Sequence, residues 1–309
     1  MSVQSEIDRL AGAKAGLSSW LANNGVTVPA GTNLNGLVEL LEGLQMGSNK
    51  NLLHNWDFRN PVNQRGVTSL TQNSTLKYFI DRWQVWDGTF EVTSDGLQVA
   101  WNGTSGYNAR MRQRIELKLF GETVTVSAIV DGVLYQATLV VPTTADEASY
   151  GSTVNGIQFM VQNHGNAYFS AGIVINETAT RIVRSMKCEI GSVSTLLQDA
   201  PADYGEQLAL CQRYCIATAN STTFLRATYG NANSFYFTLP IPVSMRTNPS
   251  VESFARLDVS KGVNEATQTG FTFAFVNLKH AIRITATKSN HGLSDARLNI
   301  TSLVLSADL

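Results

Sequence analysis

The chain has 309 residues, a formal net charge of −1, and 15% charged against 43% hydrophobic residues. That length accommodates about two ordinary domains with cores of their own, and the balance excludes intrinsic disorder and disfavours nucleic acid as a partner. Three cysteines are too few for a disulfide scaffold, the opening MSVQSEIDRL has no basic leader before an apolar run, and no stretch is long and apolar enough for membrane insertion.

In chain order the first element is a helix, with Ile7, Leu10, Leu17 and Leu21 at 3-4 spacing and Asn24-Gly25 as its stop. Thr32 or Asn33 can cap a second helix, on which Leu34, Leu37, Leu41 and Leu44 form a narrow apolar seam. Neither helix is long enough to be stable alone in water. Residues 1–46 therefore either close as a hairpin or serve as an oligomerisation and docking segment, and the pattern leaves both open. GSNK, residues 47–50, reads as a linker.

From residue 51 the pattern is that of a β protein. In TVTVSAIVDGVLYQATLVV, residues 123–141, Asp131-Gly132 supplies the positive φ angles of a two-residue hairpin turn. The expected register sets Val130 against Val133, Ala128 against Tyr135, Val126 against Ala137 and Val124 against Leu139 on one face, with Ser127–Gln136 and Thr125–Thr138 on the other. Further strands are expected at 79–86, 90–92, 97–101, 156–161, 172–175 and 180–190, making 51–200 a jelly-roll β-sandwich.

The segment YGEQLALCQRYC, residues 204–215, then reads as one short helix with Leu208, Cys211 and Cys215 on a common face, the thiols acting as buried contacts. Beyond it, alternation at 233–243, 270–276, 281–287 and 298–305 predicts a second, smaller β domain over 204–309. The expected fold class is thus mainly β, with a short helical N-terminal segment.

Little in the chain asks for catalysis. The four histidines His54, His164, His280 and His291 fall in no metal-ligand spacing, and no nucleophile elbow, phosphate loop or dinucleotide fingerprint occurs. No cofactor, metal or catalytic residue is expected. Asp81, Asp87, Glu91 and Asp95 cluster in sequence and read as solvated turn and strand-end acids. Five N-x-S/T sequons, at Asn73, Asn102, Asn176, Asn220 and Asn299, read as turn and strand composition and not as glycan acceptors.

The aromatic residues carry the sharper hypothesis. Trp83, Trp86, Trp101 and Tyr107 crowd a short span, and an exposed indole is a flat platform for the apolar face of a sugar ring. Core packing is the competing explanation. Strand alternation puts Trp83 and Val85 inside and leaves Trp86 outward.

N51-LLHNWDFRNPVNQRG66 resembles the opening of bacteriophage tail-fibre and baseplate appendage proteins, and its N-L-L-x-N-x-D-F start is similar to that of jelly-roll carbohydrate-binding modules. A202-DYGEQLALCQRYC215 resembles the segment preceding the C-terminal domain of such fibres, with Gln207-Leu208 where they often carry Glu-Leu, and L239-PIPVSMRTNPSV251 resembles one of their strands. The N-terminal helical sequences are similar to short segments of phage structural proteins. The resemblance implies a commonly homotrimeric virion appendage of the tail or baseplate, with a head or collar fibre or a free carbohydrate-binding module as the alternatives. No fixed-period repeat of a polysaccharide depolymerase is visible, so no enzyme is expected, and the missing leader fits assembly in the host cytoplasm. The resemblance further implies attachment to other virion proteins through the N-terminal segment, and host cell-surface polysaccharide as a partner. It does not extend over most of residues 67–200.

Overall fold

The structure, a computed structural model, describes residues 3–23, 26–42, 48–101, 108–165, 168–218, 223–260, 267–291, 293 and 296–308. Helix α1 spans Val3–Asn23 and α2 spans Leu34–Glu42. Asn33 is the cap of α2, its Oδ1 accepting the Gly36 N–H at 2.8 Å, while the Thr32 hydroxyl donates to Pro29 O. The helices pack on each other, with Leu21 and Leu37 fully buried. Leu17 is half-buried. Ile7, Leu10 and Leu34 remain 53%, 48% and 47% exposed, so the hairpin covers only part of its apolar surface. The Leu41 side chain, Leu44 and the Asn24-Gly25 stop lie outside the described residues.

The strands of the sandwich are β1 (Ser69–Gln72), β2 (Lys77–Tyr78), β3 (Trp83–Trp86), β4 (Gly88–Thr93), β5 (Gly96–Ala100), β6 (Ala109–Ile115), β7 (Thr123–Val130), β8 (Val133–Val140), β9 (Ala148–Tyr150), β10 (Ile157–Asn163), β11 (Phe169–Ile175) and β12 (Thr180–Ile190). One antiparallel sheet has the order β1-β4-β5-β12-β7-β8 and the other β2-β3-β6-β11-β10-β9. The chain crosses repeatedly between them, the winding expected of a jelly roll, and their inner faces share one core. The β7–β8 hairpin has the expected register from Val130↔Val133 to Val124↔Leu139. Its turn residues Asp131 and Gly132 sit at φ 50° and 80°, as the turn type demands.

Two strand expectations need correction. Residues 79–86 are not one strand: Arg82 takes φ 73°, Trp83 N–H closes a turn on Ile80 O at 3.1 Å, and the chain reverses between β2 and β3. Strand β6, ARMRQRI, was not expected at all, although it lies inside the second sheet.

A second core, built around Phe237, Ile282, Ile284, Leu298 and Leu305, belongs to the C-terminal strands. Three small antiparallel sheets enclose it, and Ser234–Pro240, Ala281–Thr287 and Thr272–Asn277 pair side by side in one of them. Asn299 is buried in its strand, so it is no glycan acceptor.

Helix α3, Tyr204–Gln212, introduces this part, with Asp203 Oδ1 capping the Glu206 N–H at 2.8 Å. The helix ends before Cys215, which starts the strand Cys215–Ala217, so Cys211 and Cys215 do not share a helical face as expected. Both are nevertheless free and buried, as is Cys188.

The N51–G66 stretch is a clasp. Asn51 bonds the β12 backbone at Met186 O and Cys188 N, and Asn55, at φ 55°, bridges Val62 and Asp81 through its amide. Phe58 packs edge-on to Trp83 at 5.1 Å. Gln64 donates to both Asp81 Oδ2 and Cys215 O, and Arg65 pairs with Asp81, Glu252 and Asp308. These residues join the two cores, as does Gln207, whose Oε1 accepts the Asn55 N–H at 2.6 Å.

Candidate functional site

The expected aromatic cluster does not form as one platform. Trp83 is fully buried, its indole N–H donating to Asn55 O at 2.8 Å, and it belongs to the sandwich core. Trp101 packs half-buried against that same core from the end of β5, in the opposite sheet. Tyr107 lies outside the described residues. Trp86 alone faces outward, as alternation from buried Trp83 and Val85 requires.

What surrounds Trp86 comes from strands far apart in sequence. Register places Trp86 beside Arg110 and Gln84 beside Arg112, and carries the second row through Gly172 and Met160 to Tyr150. Residues opposite one another point to the same face, so this is the outer surface of the second sheet. Its inner surface is filled by Ala109, Met111, Phe159, Ala171 and Ile173.

Strand β6 supplies the chemistry. Its alternation sets Ala109, Met111, Gln113 and Ile115 inward and Arg110, Arg112 and Arg114 outward. The Arg110 guanidinium lies over the Trp86 ring at 5.3 Å and that of Arg114 over Tyr168 at 5.1 Å, both cation–π geometry. Arg112 is held from both sides by glutamine carbonyls, Nη1 to Gln162 Oε1 at 2.5 Å and Nε to Gln84 Oε1 at 3.3 Å. Among the described residues no carboxylate lies within ion-pair distance of any of the three.

Gly172 opens the middle of this face. A Cβ there would stand 2.3 Å from Met111 O and 2.7 Å from Arg112 Cβ, so only glycine lets the Arg112 strand lie where it does. On the same face Leu76, Gln84, Trp86, Arg110, Arg112, Tyr150, Met160 and Gln162 enclose a cavity of about 110 Å³. Burial and the neighbouring Arg114 hold the Arg112 pKa down at about 10. His164, bonded to the Ser170 hydroxyl at 2.9 Å, is likewise lowered to about 4 by burial and then by Arg112 and Arg114. Burial is the larger cause of both shifts, and the neighbouring guanidinium groups act in the same direction.

The sequence reading missed this constellation. The signal was the strict alternation of ARMRQRI, which is a half-buried strand by period even though its outward residues are all arginine.

A larger cleft, about 480 Å³, lies where Ser48–Asn51, His54, Trp56 and α3 meet. Two of its three acids already have structural duties, and the third, Glu206, is exposed. Asp199 accepts from the buried Lys187 at 2.6 Å, and Asp203 caps α3. The other acids of interest also fail to converge: Asp81 and Asp87 are buried and not solvated as expected, Asp87 Oδ1 accepting the Ser74 N–H, whereas Glu91 and Asp95 are exposed. Among the described residues no group of His, Cys, Asp and Glu is arranged to hold a metal ion, and no helix is long and apolar enough to cross a membrane.

No protein-family model, curated protein or solved structure matches the chain.

Proposed function

We propose that the protein is a non-enzymatic virion appendage, of tail-fibre or baseplate type, that binds host cell-surface polysaccharide through the outer face of its second sandwich sheet. The observation that carries this reading is the row of Trp86, Arg110, Arg112, Gln84, Gln162 and Tyr150 around one small cavity, an aromatic and amide-rich strip on the outer face of a sheet. An indole and a phenol offer stacking surfaces, while guanidinium and amide groups reach hydroxyls, which is the mixture a saccharide site requires.

The N-terminal hairpin is the attachment and trimerisation segment. Its exposed Ile7, Leu10, Trp20, Leu34 and Val38 are costly to leave in water and favour a particle-bound subunit over a free carbohydrate-binding module. A trimer joins weak sites into one stronger attachment through effective concentration.

The test is to incubate labelled full-length chain with envelope preparations of a susceptible host and to follow both retention and polysaccharide length. Retention with unchanged length is expected. Shortening of the polysaccharide, or no retention on any envelope, would contradict the proposal.

A further inference from the structure

The geometry points to an acidic glycan as the ligand: a carboxylate or phosphate substituent seats in the cavity lined by Arg110 and Arg112, while its sugar lies along Trp86. This rests on the reading of the same face as a saccharide site and specifies which saccharides it takes.

Size is the first argument. A cavity of about 110 Å³ is well below the ~300 Å³ at which pockets begin to hold whole small molecules. It accepts one polar substituent and leaves the ring outside.

Charge is the second. Arg110 and Arg112 both line the cavity, and no carboxylate among the described residues neutralises them. The Nε atoms of Arg110 and Arg114 are buried with no hydrogen-bond partner among the described residues. Burying like charges on successive outward positions of one strand is unfavourable until a counter-charge arrives. The planar guanidinium matches the two oxygens of a carboxylate or phosphate.

Preorganisation is the third. Gln84 and Gln162 use their carbonyl oxygens on Arg112, which fixes its plane before any ligand binds. A charge recessed between an indole and a phenol, on a chain of net charge −1, also suits a substituent on a sugar better than the long phosphate track of a nucleic acid.

The experiment is calorimetric titration of the full-length chain with three soluble polymers of matched length: a neutral glucan, a polyuronate and a polyglycerol phosphate, with single-stranded oligonucleotide alongside. At least one acidic polymer is expected to bind about tenfold or more tightly than the glucan, as one charge-assisted pair allows. Arg112→Gln is expected to bring the acidic polymers down to the affinity the same variant shows for glucan, and which acidic polymer the parent prefers identifies carboxylate or phosphate. Arg110→Gln, on the other arginine of the cavity lining, serves where that variant melts early.

Equal binding of glucan and acidic polymers, unaltered in Arg112→Gln, would overturn the inference and leave the saccharide site standing. Oligonucleotide bound as tightly as the acidic polymers would also overturn it. Failure to bind any polymer would remove both.

Discussion

Arg65 and Asp308, 243 positions apart, meet at 2.5 Å with each side chain only 3% exposed. Arg65 also reaches Asp81 at 3.2 Å and Glu252 at 2.9 Å, while Arg82 contacts Asp308 at 3.3 Å and stacks on Tyr214 at 3.4 Å. The C-terminal strands are thereby fastened to the sandwich through buried charge. Removing one partner of such a cluster leaves the others uncompensated and costs about 3–5 kcal/mol.

Arg65→Met should therefore uncouple the two cores. All five tryptophans precede residue 102, so indole fluorescence reports the N-terminal part while circular dichroism reports every strand. In denaturant the parent should show coincident transitions by both probes, and the variant separate ones. Coincident transitions in the variant would mean that the cluster does not couple the cores.

The same junction sets a pH dependence with two opposing parts. Burial, opposed by Arg65, pushes Asp81 up to about 6, so the fold favours its protonated form. Its contribution is complete below about pH 4 and is lost as pH rises through about 6. His54 is held down at about 4 by burial and then by Arg82, so its contribution is present above about 6.5 and is lost as pH falls towards 4. Asp81→Asn should gain on the parent in denaturant midpoint as pH rises from 4 to above 6, and His54→Gln should lose less than the parent over the same interval on acidification. Parallel profiles for parent and variants would contradict these assignments.

Burial pushes all three thiols above their ordinary range. A thiol-reactive dye should therefore label almost nothing in the native chain and all three cysteines in denaturant. Rapid labelling of Cys211 or Cys215 in the native state would revive a reactive pair.

If the N-terminal hairpin assembles the particle subunit, deleting residues 1–46 should convert a sedimenting trimer to monomer without lowering the melting temperature of the β domains. Leu10→Glu, at a position 48% exposed, should act in the same direction. A truncated chain that stays trimeric would move assembly to the β domains.

Legibility of the fold followed local physics. The β7–β8 register was readable because Asp131-Gly132 can hardly be anything but a tight turn, and Ala281–Thr287 was readable from its alternation. What escaped was decided by distant partners. Arg82 breaks the 79–86 run because its guanidinium is needed at Arg114 O and Asp308, and α3 stops short of Cys215 because that residue pairs with Ser306. Lys187 and Glu189 look like solvent-facing strand residues yet are fully buried, under Ser48, Thr195 and Asp199. Of the candidate site only Trp86 was legible, since all its partners but Gln84 and Leu76 come from β6, β9 and β10.

The most direct measurement is the equilibrium affinity of purified host surface polysaccharide for the intact chain and for Trp86→Ala. Loss of a stacked indole weakens binding about three- to tenfold, and a half-exposed residue on the outer face should leave the melting temperature nearly unchanged. Equal affinity in the two proteins would contradict the placement of the glycan on this face.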